Sequence, residues 1–296
     1  MIIYSNCPVC KNENITEFFA AEDYTVSHEK FSIFQCKNCT VLMTQNIPAQ
    51  NEIGKYYASD NYISHSDTQM GFVNKLYHVI RKKTLNGKKD LIQKETNKQT
   101  GKILDIGCGT GAFLHTMKTA GWESIGLEPD ETARNKAQEL YNLTPLSSHE
   151  IFNLQHSSFD AITMWHVLEH VHQLHEYVAQ LKNLITDKGR IFIAVPNYTS
   201  HDAQYYGNAW AAYDVPRHLY HFSPVSMKNL VEQYGLTIKK IKPMWFDSFY
   251  VSMLSEKYKN GKGNLLSAFF TGFISNIKTM MNKEKCSSLI YVISKA

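Results

Sequence analysis

The stretch that most restricts the fold is "GKILDIGCGTGAFLHTMKTAG" at 101–121. A short apolar run holding Asp105 ends in three alternate glycines, Gly107, Gly109 and Gly111, and a helical pattern comes next. Glycines at a strand end let the backbone turn sharply and let a ligand approach closely. The alternation then continues. "ESIGLEPD" reads as a strand, "ETARNKAQELYN" as a helix, and "FDAITMWHVLEHV" begins as a strand. "LHEYVAQLKNLITDKG" reads as a helix closed by Gly189, and "RIFIAVPN" as a strand. "SPVSMKNLVEQYG" is a helix with Ser223 as cap and Pro224 at its first position. "LTIKKIKPM" and "SSLIYVISKA" are strands, with a helical insertion at 250–284 between them. Strands alternating with helices predict a doubly wound, mostly parallel α/β sheet.

Glu128 ends the second strand, about twenty positions after Gly107. A carboxylate there can accept hydrogen bonds from both hydroxyls of a ribose. "ILDIGCGTG" with "GLEPD" resembles the first two motifs of class I S-adenosylmethionine-dependent methyltransferases, over about 101–248. A Rossmann NAD enzyme more often reads G-x-G-x-x-G without the leading Asp. The resemblance implies a seven-stranded Rossmann-like sheet with "SSLIYVISKA" as its final antiparallel strand. It implies that Asp105, Gly107 and Gly109 line the methionine part of the cofactor, with Cys108 and Gly111 in the same loop. Glu128 would hold the ribose, and Pro129 or Asp130 would border the adenine. "LTPLSSHEIF" lacks the Asp that many such enzymes place near the adenine amine, leaving Ser148, His149 or Glu150 for that contact.

"MWHVLEHV" resembles the segment after the fourth strand of small-molecule methyltransferases of this class. In ubiquinone-pathway O-methyltransferases the matching E-x-x-E-H has been linked to a divalent metal. Here His166 replaces the first Glu, leaving His166, Glu169 and His170. The mixed ligands suit no single metal clearly. The favoured expectation is that Trp165 and His166 wall the cofactor pocket while Glu169 and His170 cap a helix.

Of six cysteines, Cys7 with Cys10 and Cys36 with Cys39 form two C-x-x-C pairs. Two such knuckles in one small block can supply four thiolates to a zinc ion, a closed and therefore structural site. One pair alone would equally suit redox chemistry. A block as small as 1–45 buries little core, so a metal would supply folding free energy. Residues 46–100 join a Tyr-rich segment to a basic helical linker read as a solvated face. The resemblance implies that residues 101–296 form the methyltransferase domain.

A zinc ribbon before such a domain resembles two groups. One comprises sugar C-methyltransferases of deoxysugar pathways, with relatives in polysaccharide synthesis. The other comprises ribosomal-RNA base methyltransferases. The first likeness spans more of the chain. "YYASDNYISHS" matches its Tyr-containing segment, and "DVPRHLYHFS" its D-E-H-F-x-x-F-S segment. It implies His218 as general base, with Tyr62 nearby. Arg217 stands where that group has Glu, and a guanidinium suits a phosphate or carboxylate better than proton removal. His221 is the loop's second candidate, and His65 ranks below Tyr62. Chemistry agrees: the methyl of a sulfonium is already electrophilic, so the protein must align an acceptor and take its proton. Histidine titrates nearest neutral pH.

A net charge of +4 is too small to argue for nucleic acid. "MIIYSNCPVC" has no basic region followed by an apolar core, and "LLSAFFTGFISNI" is too short to span a bilayer. That second stretch reads as a core or oligomer-contact face, with peripheral membrane contact as the lesser reading. A reduced, cytoplasmic protein is expected. The expected activity is methyl transfer from S-adenosylmethionine to a small molecule, foremost a nucleotide sugar or glycan. An RNA methyltransferase and a non-catalytic cofactor-binding scaffold remain alternatives, and the oligomeric state is open.

Overall fold

The computed structural model describes residues 1–57 and 72–296, with side chains of the first helix from 81 onward. Tyr62 and His65 lie outside the described residues. The cysteine block supplies β1 (Ile15–Glu22), β2 (Lys30–Cys36) and β3 (Leu42–Thr44). The linker is α1 (Phe72–Thr96). Then come β4 (Lys102–Ile106), α2 (Ala112–Thr119), β5 (Glu123–Leu127), α3 (Glu131–Tyr141) and β6 (Phe159–Trp165). They are followed by α4 (Leu174–Leu184), β7 (Ile185–Pro196), α5 (His201–Tyr206), β8 (Tyr220–His221) and α6 (Pro224–Glu232). The chain closes with β9 (Leu236–Pro243), α7 (Asp247–Asn260), α8 (Leu265–Met281) and β10 (Ser288–Lys295).

Among the described residues one sheet has six strands in the order β5-β4-β6-β7-β10-β9, mixed but mostly parallel. β4 pairs in parallel with β5 on one side and β6 on the other, so the chain reverses direction across the sheet at β4. Ligands bind at such switch points, outside the strands' carboxyl ends. The anticipated seventh strand is reduced to one parallel bridge, Leu127 with Leu146. Pro145 has no N–H to donate, and the chain turns into a 3-10 helix at Ser148, which stops the pairing. The fourth helix is also shorter than Gly189 suggested. It ends at Leu184, and β-branched Ile185 and Thr186 begin β7, which runs through Gly189. A Cβ on Gly189 would lie 2.7 Å from the Ile185 side chain. The α6 start is as expected: Ser223 caps the helix with Pro224 in its first turn, and Ser223 and Ser226 form a reciprocal capping box.

A second sheet has the order β1-β2-β3-β8. β8 comes from the segment read as a loop after "RIFIAVPN". It pairs antiparallel with β3, Leu42 opposite His221 and Met43 opposite Tyr220.

Among the described residues the chain forms two compact units. The first holds 1–57, 166–178 and 194–291; the second holds 72–165, 179–193 and 292–296. The first unit's core includes Phe31, Ile33, Leu42, Trp210, Tyr213 and Val215. In the second unit, Cys108, Leu114, Ala137 and Leu143 pack behind the glycine loop.

Candidate functional site

In the second unit the glycine loop comes directly after β4. Gly107, Gly109 and Gly111 have φ of 70°, 54° and 82°, the left-handed region in which a Cβ is strained. Gly111 is also crowded by α3 and the turn beyond it, since a Cβ there would lie 3.1 Å from the Ala137 Cβ and 2.9 Å from Leu143. Gly126 on β5 is equally constrained, since a Cβ there would lie 2.8 Å from the Cys108 sulfur. Cys108 is thus a packed, buried thiol, and burial pushes its pKa up.

Asp105 is buried at the end of β4, between Gly126 and Thr163 on its neighbouring strands. The Thr163 hydroxyl donates to Asp105 Oδ1 at 2.6 Å. Burial still dominates and pushes the carboxyl up to about 7. Glu128, at the end of β5, clasps the loop. Its Oε2 accepts from Gly109 N–H at 2.8 Å and its Oε1 from Asp130 N–H at 3.0 Å. Burial raises Glu128 also, with those two backbone donors acting against it. Pro129 is beside it, and its carbonyl accepts from Arg134 at 2.8 Å. Asp130 caps α3 by accepting from Ala133 N–H at 2.7 Å. Trp165 ends β6, edge-on to Phe113 at 5.5 Å, with the Lys88 ammonium 4.2 Å from its ring centre. Its buried indole N–H has no partner among the described residues.

The first unit carries a separate cluster. His166 has a left-handed backbone, φ 58°, which histidine tolerates better than most residues. Its Nδ1 lies 3.4 Å from Glu169 Oε1 and its Nε2 3.2 Å from Asp247 Oδ2. Burial alone would lower its pKa, but the two carboxylates outweigh that and hold it up at about 10. Glu169 is wholly buried in a 3-10 turn, Leu168–His170, rather than capping a longer helix. Desolvation opposes its charge, yet the charged His166 ring beside it holds its pKa below the usual range. Neither Glu169 oxygen makes a hydrogen bond with good geometry among the described residues; its link to His166 is an ion pair.

His170 Nδ1 donates to the Arg217 carbonyl at 3.0 Å and lies 3.0 Å from the Tyr57 hydroxyl. Burial and the nearby His218 push His170 down to about 4, so it is neutral. The His218 ring stands edge-on to it, centroids 4.6 Å apart. His218 Nδ1 is 2.8 Å from the Ala212 carbonyl, which fixes the proton on Nδ1. In the neutral ring Nε2 then carries the lone pair; it lies 3.9 Å from Asp214 Oδ2. Ligand atoms of Glu169, His170 and His218 all lie within 4.8 Å of one another.

Arg217 has 1% of its surface exposed, so it is a core side chain rather than an open anion receptor. Its Nε contacts both Asp214 oxygens at 3.1 Å, and Nη2 reaches Asp23 Oδ1 at 2.8 Å. Nη1 donates to the Tyr56 carbonyl at 2.7 Å. His221 Nε2 lies 3.1 Å from the Thr44 hydroxyl, which itself donates to the His218 carbonyl at 2.7 Å. Burial drives His221 well below its ordinary value. Asp23 carries no mark in the sequence; Asp214 shares a segment with His218, and Tyr57 lies in the Tyr-rich stretch whose candidate was Tyr62.

The four cysteines converge in the first unit. Cys7 Sγ is 3.5 Å from Cys39 Sγ, and Cys10 Sγ is 3.6 Å from Cys36 Sγ. All four ligand atoms lie within 4.8 Å of one another. Tetrahedral thiolates around zinc sit about 3.8 Å apart, given a metal–sulfur bond of about 2.3 Å.

A glycine loop at the switch point of a mostly parallel sheet, with an acid ending the next strand, defines a nucleoside-binding α/β protein. More narrowly, the chain belongs to the methyltransferase-domain family, whose pattern matches residues 78–241. It is 25% identical over 182 residues to the mitochondrial ubiquinone biosynthesis O-methyltransferase of Rattus norvegicus, covering 54% of this chain and 53% of that one. With the ubiquinone biosynthesis O-methyltransferase of Glaesserella parasuis serovar 5 it shares 33% identity over 121 residues, 37% of this chain and 51% of the other. The chain thus spans about half the length of these curated relatives. The fold is similar to that of magnesium protoporphyrin IX methyltransferase from Synechocystis PCC 6803, with TM-score 0.50 and 15% identity over 78% of this chain and 90% of that one.

Proposed function

We propose that this chain transfers a methyl group from S-adenosylmethionine to a nucleophilic atom of a small molecule. The observation that carries the reading is the Glu128 clasp. The carboxylate holds Gly109 and Asp130 through one hydrogen bond per oxygen, leaving further lone pairs for ribose hydroxyls. The positive-φ glycines keep the loop free of side chains where the cofactor's backbone-facing atoms would lie. The Trp165 N–H, which has no partner among the described residues, fits a polar ligand atom. When bound, the cofactor would supply an electrophilic sulfonium methyl whose carbon–sulfur bond can break to leave a neutral thioether.

In the first unit, His218 receives the acceptor's proton on Nε2, and the Ala212 carbonyl stabilises the resulting imidazolium through Nδ1–H. Glu169, charged and with acceptor sites open among the described residues, orients a hydroxyl. Arg217 and His221 are positioning residues, since their polar atoms are engaged with Asp23, Asp214 and Thr44. The finer reading of the acceptor is a sugar, supported by the likeness of "DVPRHLYHFS" to sugar methyltransferases. The names of the curated relatives favour a phenolic quinone precursor as the second reading. Labelled-methyl transfer into nucleotide-sugar, quinone-precursor phenol and RNA pools separates them. Label in RNA alone would overturn the small-molecule reading, and none in any pool would overturn the activity.

The four thiolates hold a structural zinc ion. Their spacing fits a tetrahedral site, and burial of three of them suits a closed one. Metal analysis of protein purified without chelator is expected to give one zinc per chain. Metal-free protein with an unchanged melting temperature would overturn this role.

A further inference from the structure

Helix α8 carries its large apolar side chains outward. Leu266, Phe270, Phe273, Ile277, Met280 and Met281 are exposed, the last two at 75% and 85%. The buried residues are small: Ala268, Thr271, Gly272, Ser275 and Thr279. Because each residue turns the helix by about 100°, these two sets occupy opposite faces. The inward face has its own logic. A Cβ on Gly272 would lie 3.1 Å from the Phe249 Cα of α7, and Ser275 donates to buried Asp202 at 2.8 Å. A helix that only covers a core shows the reverse arrangement. Exposed apolar surface continues onto the start of α7 through Trp245, Phe246, Tyr250 and Met253.

The surroundings of this face are basic. Lys257, Lys259 and Lys262 precede α8, and Lys278, Lys283 and Lys285 lie at its other end. Of the acids between 247 and 285, Glu256 is buried and Asp247 is paired with His166, leaving Glu284 exposed. Some lysines also serve locally: Lys259 stands 4.7 Å over the Tyr205 ring, and Lys278 lies 3.0 Å from His201 Nδ1.

We propose that α8, with Trp245 and the start of α7, is an interfacial anchor that docks onto bilayer surfaces bearing anionic headgroups. Among the described residues no helix is long and apolar enough to cross a membrane, so α8 lies in the interface plane. The apolar face enters the acyl boundary, and lysines at both ends meet the negative headgroups. A tryptophan at the edge of such a face suits the headgroup layer. A second copy of this chain is the less favoured occupant. Pairing two copies through α8 would bring lysine-rich rims together, and lysine is depleted at protein interfaces. The proposal does not depend on the reaction.

Flotation of the full chain with phosphatidylcholine vesicles, with and without phosphatidylglycerol, tests it. The protein is expected to float with the anionic vesicles and to release at high salt. Lys262→Ala should lower partitioning about fivefold. Phe270→Glu with Phe273→Glu should abolish it, with the circular dichroism of the variant unchanged. A readout needing no variant is quenching of exposed Trp245 by brominated lipid, the other three tryptophans being more deeply placed. Three results would overturn the proposal: no flotation, no quenching, or a dimer that the Phe270/Phe273 variant dissociates in protein that ignores vesicles.

Discussion

The Arg217 guanidinium and the Asp23 carboxylate meet at 2.8 Å, with 1% and 0% of their side chains exposed. Asp23 also accepts from the N–H groups of Thr25, Val26 and Ser27, which shapes the turn after β1. Arg217 thus ties the cysteine block's sheet to the turn bearing Asp214 and His218. Removing one partner leaves a buried charge uncompensated, which costs about 3–5 kcal/mol. Arg217→Ala is expected to lower the urea midpoint accordingly, and Asp23→Asn to do so in part. A loss under about 1 kcal/mol for Arg217→Ala would place the pair among exposed bridges.

If His218 takes the acceptor's proton, its loss should affect turnover rather than cofactor affinity. His218→Ala is expected to reduce turnover about 10²–10⁴-fold. Calorimetric binding of S-adenosylmethionine should stay close to that of wild type. Arg217→Lys offers the contrast. A residue that positions His218 should shift the pH profile of turnover without abolishing it, whereas a purely structural one should change stability alone.

The glycine loop and its flanking strands were legible because their signals are local. Strand, glycines, helix and Glu128 fall within one short stretch, and each carries a backbone requirement visible as a residue type. Ser223 and Pro224 announced α6 in the same way. In the first unit the surroundings of His218 and Arg217 were not legible, because their contacts are remote. Arg217 and Asp23 lie 194 positions apart, and nothing near Asp23 names its partner. The β3–β8 pairing likewise turns an apparent loop into a strand. Glu169 was expected to cap a helix. The short 3-10 turn instead buries it against His166.

Glu128 is argued to bind through both oxygens, so its variants should be graded. Glu128→Ala removes the ribose acceptors and frees the Gly109 and Asp130 N–H groups. A hydrogen bond to a charged group contributes about 1.5–3 kcal/mol. Cofactor affinity should therefore fall by at least about tenfold, with Glu128→Gln intermediate. Equal affinity for wild type and Glu128→Ala, measured by calorimetry, would remove Glu128 from the site.

His166 gives the protein a pH dependence of calculable sign. Its folded pKa is raised to about 10 by Asp247 and Glu169, against an unfolded value near 6.5. A raised pKa means that the folded state binds the proton more tightly. The stabilisation is complete below about pH 6.5, declines as pH rises, and is gone above about 10. Because 35% of the side chain is exposed, solvent screens part of the effect. Urea midpoints taken between those limits should fall with pH, after correction for other groups by comparison with His166→Gln. Asp247→Asn should flatten the profile and lower the His166 titration midpoint seen by proton resonance. A ring that titrates near its ordinary value in the wild type would show that the two carboxylates do not hold the imidazolium.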